Sequence, residues 1–262
     1  MSPDALAARG MRKTPLEWTP LTAYALGLAA TDGNLGRDGR HVQFGSGDRE
    51  LVEYFLRSVG RPDANIKLAR GRLYYRAQLS DRALHEFLCK AGLTPNKSLT
   101  LAGLDFPAHL FWDVARGLLD GDGSIKSYVH NPIKKTYPGY RYERLEVMFH
   151  TASRAHAEWV QDQLRGRGLP SALLTSVRRT PAKYAGRLMF KVKMGKHASI
   201  ETLANVYRDP DARSLTRKRS VWDGFLARYS DSGARRLVRP TGAAGRSFAA
   251  VARALRLEEA AI

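Results

Sequence analysis

Cysteine is almost absent: among 262 residues there is only Cys89. That excludes an internal disulfide and fits a reducing compartment. Within "HEFLCKAG", Cys89 reads as a buried helix residue, not a nucleophile. Acidic residues are scarce as well. Asp plus Glu number 25 against 43 Lys plus Arg, for a formal net charge of +18 and a pI near 10.3. A solvated surface does not need this excess, which points to a polyanion, foremost nucleic acid. No apolar run reaches membrane-spanning length, and the opening "MSPDALAARGMRK" has no signal-like apolar core. No membrane partner is expected. The expected location is cytoplasmic, at the nucleoid, with an organelle left open.

What is present repeats. In the first copy "TPLTAYALGLAAT" is helical, "HVQFGS" alternates as a strand, and "DRELVEYFLRSVG" has helical spacing. "NIKLARGRLYYRAQLS" reads as a hairpin turning near Arg70-Gly71, and "DRALHEFLCKAGL" as a helix capped by Asp81. The second copy follows the same order. "LFWDVARGLLDG" is its helix, "SIKSYVH" and "YRYERLEVMFH" are strands, and "SRAHAEWVQDQLRGRG" is a helix. "SALLTSVRR" and "GRLMFKVKMG" form a hairpin, and "HASIETLANVY" closes the copy as a helix. Each copy is thus α-β-β-α-β-β-α, an α+β class with two halves about a pseudo-two-fold axis. The expected division is 1–92 for the first half, with an N-terminal extension 1–19, then a linker 93–107. The second half is 108–228, and 229–262 is a basic tail with one amphipathic helical stretch.

Both copies open on an apolar helix that ends in Asp-Gly, although a helix C-terminus disfavours carboxylates. The first such stretch is Ala25-Leu26-Gly27-Leu28-Ala29-Ala30-Thr31-Asp32-Gly33. The second is Ala115-Arg116-Gly117-Leu118-Leu119-Asp120-Gly121-Asp122-Gly123. Small residues (Gly27 and Ala30, Gly117 and Gly121) suit two helices crossing closely, which would bring Asp32 and Asp122 together. Two neighbouring carboxylates resist joint ionisation, and a divalent cation removes that penalty. The glycines after the aspartates suit left-handed helix caps. A calcium loop does not fit "DGDGSIKSYVHN": its sixth position is Ile125 instead of Gly and its twelfth is Asn131 instead of Glu.

The pair of motifs resembles the LAGLIDADG homing endonucleases, single-chain two-motif type, over roughly residues 20–225. The resemblance implies two halves forming a β-saddle over duplex DNA. Its metal-binding acid is the eighth motif residue, which falls on Asp32 and Asp122, with Gly33 and Gly123 beside them in the expected metal site. Asp120 is the sixth residue, matched by Ala30, and receives no catalytic role. Mg²⁺ is the implied cofactor, with Mn²⁺ or Ca²⁺ as substitutes, Ca²⁺ non-catalytic. Intein-related members place a lysine before the second motif and another late in the second repeat. Lys97 and Lys218 match, and each would stabilise charge at the scissile phosphate or polarise the attacking water. Ser46 and Thr151 stand at matching strand ends, where the family often has a polar supporting residue. Splicing function itself is not expected, since the chain opens on Met and ends "EEAAI".

Strand alternation separates a core face from a reading face. On the first hairpin the outward set is Arg72, Tyr74, Arg76 and Gln78, with Lys67 on its partner strand. On the second it is Arg187, Met189, Lys191 and Lys193. On the long strand it is Tyr140, Tyr142, Arg144, Glu146 and His150. Gln43 lies on an earlier strand, Arg37 and Arg40 in the turn before it, and Lys126 on the strand after the second motif. The outward sets of the hairpins and the long strand hold eight Arg, Lys or His, counting Lys67, against one acid. Arg and Gln suit guanine and adenine edges, and a β-ribbon fits the major groove.

The expected function is metal-dependent hydrolysis of both strands of a long, non-palindromic DNA site by an intron-encoded, monomeric enzyme. The alternatives are a maturase that binds intron RNA and a non-cleaving DNA-binding regulator of the same fold.

Overall fold

The computed structural model describes residues 15–69, 71, 73–130, 142–177 and 186–233. The first half runs α1 (Pro20–Asp32), β1 (Gly33–Leu35), β2 (His41–Ser46), α2 (Arg49–Ser58), β3 (Ile66–Leu68), β4 (Tyr75–Ser80) and α3 (Arg82–Lys90). Single 3-10 turns follow at Lys97–Leu99 and Ala108–Leu110. The second half runs α4 (Phe111–Gly121), β5 (Ser124–His130), β6 (Tyr142–Thr151), α5 (Arg154–Arg165), β7 (Ser171–Val177), β8 (Leu188–Met194) and α6 (Lys196–Val206). A further helix, α7 (Thr216–Gly233), was not expected from the sequence and runs past residue 228.

The two halves form separate four-stranded antiparallel sheets of identical plan, β1-β2-β4-β3 and β5-β6-β8-β7. Their registers correspond. Gly45 pairs with Arg76 and Ser46 with Tyr75, while His150 pairs with Lys191 and Thr151 with Phe190. The inward residues Phe44, Ala77 and Leu79 of one sheet and Leu145, Val147, Phe149 and Val192 of the other are buried, as alternation requires.

The motif helices α1 and α4 run through the middle. Thr19 caps α1 in a capping box with Thr22, and Pro20 supplies the preset φ of the first turn. The helix is then buried from Thr22 to Ala30, so its sequence is apolar all round instead of amphipathic. Gly27 and Gly117 form the crossing. A Cβ on Gly27 would lie 2.2 Å from the Val114 carbonyl oxygen, and one on Gly117 would lie 2.3 Å from that of Tyr24. Arg116, a charge within this apolar region, pairs with Asp113 at 2.9 Å and lies over the Tyr24 ring at 4.9 Å.

Three details depart from the expectations. Cys89 is exposed, because α3 buries Leu84, His85 and Leu88 and turns Cys89 outward. Glu146 is buried, and Lys193 reaches it at 2.9 Å. The glycines after the aspartates are not left-handed: Gly33 has φ −82°, and neither it nor Gly123 has positive φ. They are glycine for lack of space. A Cβ at Gly33 would meet the Ala29 carbonyl oxygen at 2.6 Å, and one at Gly123 would meet that of Leu119 at 2.6 Å. Among the described residues no helix is long and apolar enough to cross a membrane.

Candidate active site and nucleic-acid interface

The crossing of α1 and α4 fixes where the helices end, and so where the aspartates stand. Asp32 is the last residue of α1, half-buried, and Asp122 follows the last residue of α4 and is exposed. Burial first, and then the charge of Asp122, raise Asp32 from 3.8 to about 7, against the pull of Lys97 and Lys218. The carboxylates are therefore close enough to resist joint ionisation.

Lys97 and Lys218 are each only 5% exposed. Both stand lowered from 10.5 to about 8, chiefly by burial, against the opposing charges of Asp32 and Asp122 at Lys97 and of Asp120, then Asp122 and Asp32, at Lys218. The structure thus brings Asp32, Asp122, Lys97 and Lys218 into one electrostatic cluster. Both lysines also answer the helix ends. Lys97 Nζ donates to the Gly33 carbonyl. Lys218 Nζ donates to the carbonyls of Leu119 at 2.6 Å, Asp120 at 2.8 Å and Gly121 at 3.0 Å. Three ammonium hydrogens thus meet orphan carbonyls in the last turn of α4, where a cation is also favoured by the helix dipole. In this conformation Lys218 acts on its surroundings through its charge, with its donors already engaged.

Asp120 is fully buried, and burial raises it to about 6. Its Oδ2 accepts from Tyr24 Oη at 2.8 Å and from the Leu215 amide at 2.9 Å. It joins α4 to α1 and to the segment that leads into α7.

The supporting positions differ between halves. Ser46 Oγ and Thr151 Oγ1 play the same local part, each accepting the amide two residues on at 3.1 Å. One residue earlier the halves diverge. The Tyr74 hydroxyl fills the space above Gly45, 2.6 Å from where a Cβ would stand, and burial and then Asp32 raise its phenol pKa. At the matching place His150 Nε2 meets Ser124 Oγ at 3.1 Å and lines a small cavity with Asp122 and Thr151. Burial, with Lys191, Lys218 and Lys126 around it, holds the His150 imidazole below its ordinary value.

The residues expected on the reading face differ in exposure. Arg37, Arg40, Lys67, Tyr74, Arg76, Gln78, Lys126, Arg144 and Arg187 are exposed, and Gln43, Lys191 and Lys193 are half-buried. Gln43 and Gln78 are joined across the strands at 2.9 Å, and Lys193 is held by Glu146. Arg72 and Tyr140 lie outside the described residues, as does the side chain of Tyr142. A cavity of about 380 Å³ lined by His41, Asn65, Lys67, Arg76, Gln78 and Ser80 opens on the first sheet. Sequence reasoning did not single out Tyr24, Asp48, Glu50 or Arg217, because their contacts join segments far apart in the chain.

Among the described residues no cluster of three or more His, Cys, Asp or Glu is placed to hold a metal. The donor set is two carboxylates, one of them half-buried and reluctant to ionise. That fits a hard divalent cation that takes its other ligands from water and substrate phosphate, as Mg²⁺ commonly does.

No protein-family model matches this sequence. No curated protein matches it either. Solved structures do. The I-LtrWI LAGLIDADG homing endonuclease bound to target DNA aligns with a TM-score of 0.53 at 11% identity, over 90% of this chain and 96% of that one. I-DmoI in complex with DNA and Ca aligns at 0.47 and 13% identity, over 78% and 97%. Full-length DUF199/WhiA from Thermatoga maritima aligns at 0.46 and 14% identity, over 85% and 72%. The α+β architecture of two four-stranded sheets and, among the described residues, seven helices is that of the I-LtrWI fold.

Proposed function

We propose that this chain is a site-specific endonuclease that makes metal-dependent double-strand breaks in a long, non-palindromic DNA site, acting as a monomer. The observation that carries it is the pair Asp32 and Asp122 at two crossed helix ends, between two basic sheets of one topology. I-LtrWI, whose fold this chain shares, is itself bound to target DNA. Asp32 and Asp122 would hold Mg²⁺, with Mn²⁺ as a working substitute and Ca²⁺ as a non-catalytic one. Such an ion supplies charge neutralisation for phosphate and acidifies water when bound.

The chain's own groups do the rest. Lys97 and Lys218 favour the ionised forms of both carboxylates and add positive charge where negative charge develops. The cationic faces of the two sheets draw in and orient the phosphate backbone. In the hydrolysis a bond forms from water oxygen to phosphorus, and the phosphorus–oxygen ester bond on the far side breaks. Because the halves carry different side chains at matching positions, the two arms of the site differ in sequence. An intron-encoded origin is part of this proposal.

The test is cleavage selection from a randomised duplex library with Mg²⁺, with the ends of cut molecules sequenced. A recurring site cut on both strands, lost with EDTA, is expected. Specific binding with no cleavage under Mg²⁺ or Mn²⁺ would make the chain a DNA-binding protein of this fold and remove the nuclease assignment.

A further inference from the structure

Lys97 and Lys218 sit on different kinds of segment, a linker turn and a helix, yet both segments are fastened to both halves. The body of α7 belongs to the second half. Trp222, Phe225 and Leu226 are buried, and Arg228 reaches Glu143 at 2.9 Å and Ser127 at 2.6 Å. Its first turn reaches across. Thr216 donates to Glu50 through its amide at 3.2 Å and its hydroxyl at 2.8 Å. Arg217 holds both carboxylate oxygens of Asp48 at 2.9–3.2 Å. Asp48 and Glu50 stand at the start of α2, in the first half. The next residue, Lys218, covers the end of α4 in the second half.

Lys97 mirrors this. It covers the Gly33 carbonyl at the end of α1, in the first half. A few residues on, its segment is fastened to the second half. Ser153 Oγ donates to the Leu101 carbonyl at 2.5 Å and His156 Nδ1 to that of Ala102 at 2.7 Å.

We propose that these fastenings are a cross-half positioning device: Asp48, Glu50 and Arg217 set Lys218, and Ser153 and His156 set Lys97, so that the charges around Asp32 and Asp122 are complete only when the two halves are docked. The nuclease part of this inference rests on the proposed function. The positioning part does not. Arg217 is 60% exposed on its side chain, so its substitution spares the core. A lone exposed ion pair contributes little stability, so its worth here is in placement.

The experiment is reductive methylation of lysines followed residue by residue by mass spectrometry, on the full chain, with melting temperature measured in parallel. Lys218 is slow to react in the wild type. In Arg217→Asp it reacts about fivefold faster, the factor that loss of one exposed charge pair supports. The double variant Asp48→Arg with Arg217→Asp restores protection, and Lys97 is unmoved throughout. His156→Phe exposes Lys97, while His156→Asn, which keeps a donor, does not. On the selected DNA site, Arg217→Asp lowers the single-turnover rate at saturating DNA and leaves the dissociation constant near wild type, and the swap recovers the rate. Unchanged protection of Lys218 in Arg217→Asp overturns the proposal. So does a rise shared by all lysines, which would mean general loosening. A wild type that cuts no DNA removes the nuclease assignment, while the methylation pattern still decides the positioning.

Discussion

Asp32 is a carboxylate that the fold makes hard to ionise, and this has a sign. Its value rises from 3.8 to about 7 on folding, chiefly through burial and then through Asp122. Between those values the folded chain binds more protons than the unfolded one, so stability falls as pH rises. The contribution is complete below about pH 4 and gone above about pH 7. Asp120, raised to about 6 by burial, acts in the same direction, so the group is isolated by comparison and not by the total slope. Without metal, Asp32→Asn should therefore gain on the wild type in melting temperature as pH rises from 4 to 7. Added Mg²⁺ at pH 7.5 should raise the wild-type melting temperature and leave the variant nearly unmoved. Parallel pH curves would mean that Asp32 does not carry the strain assigned to it. On DNA, if the carboxylates hold metal and the sheets hold DNA as proposed, Asp32→Asn and Asp122→Asn should each abolish double-strand cleavage while gel-shift affinity stays near wild type. Near-normal cleavage by either variant would remove that residue from the site.

The elements follow from local chemistry to different degrees. Alternation in "RAQLS" and helical spacing in "RELVEYFLRS" set β4 and α2, and Asp81 caps α3 by accepting the Leu84 amide at 3.0 Å as its position before the helix suggests. Helix α7 was hidden by its composition. "TRKRSVWDGFLARYSDSG" mixes charge with Gly224 and only a thin apolar stripe, and its stability comes from packing on the second half. The glycines of the two motifs were legible as close-packing residues at Gly27 and Gly117 but misread at Gly33 and Gly123, where steric room, invisible in sequence, decides. The crossing gives a sharp test. Gly27→Ala puts its methyl against backbone of the opposite helix, which no side-chain rotation relieves, so the cost should reach or exceed about 3 kcal/mol. Ala30→Gly, one turn along, should cost only about 1 kcal/mol of helix propensity. Urea denaturation of both variants measures this, and a Gly27→Ala midpoint near wild type would show that the helices can part without penalty.

At the scale of the molecule, pseudo-symmetry was legible because each half repeats one order of elements, and asymmetry was not, because it lies in which side chains meet. Arg76 and Lys191 are a case in point. They hold the same register position, opposite Gly45 and His150 respectively, on sheets built to one plan. Each sheet has its own face and its own cations, and the carboxylates lie where the halves meet. If the sheets read DNA, each covers one arm of the site and leaves the other alone. Arg76→Ala should relax base preference on one arm only, costing about 1–3 kcal/mol where it holds a guanine edge. Lys191→Ala should do so on the opposite arm. A phosphate contact behaves otherwise: its loss weakens all sequences alike and lowers the salt slope by about one unit. Profiling each variant against a library randomised across the whole selected site separates these cases. Loss of preference on the same arm by both variants would break the link between the two-sheet architecture and a divided site, however the aspartates behave.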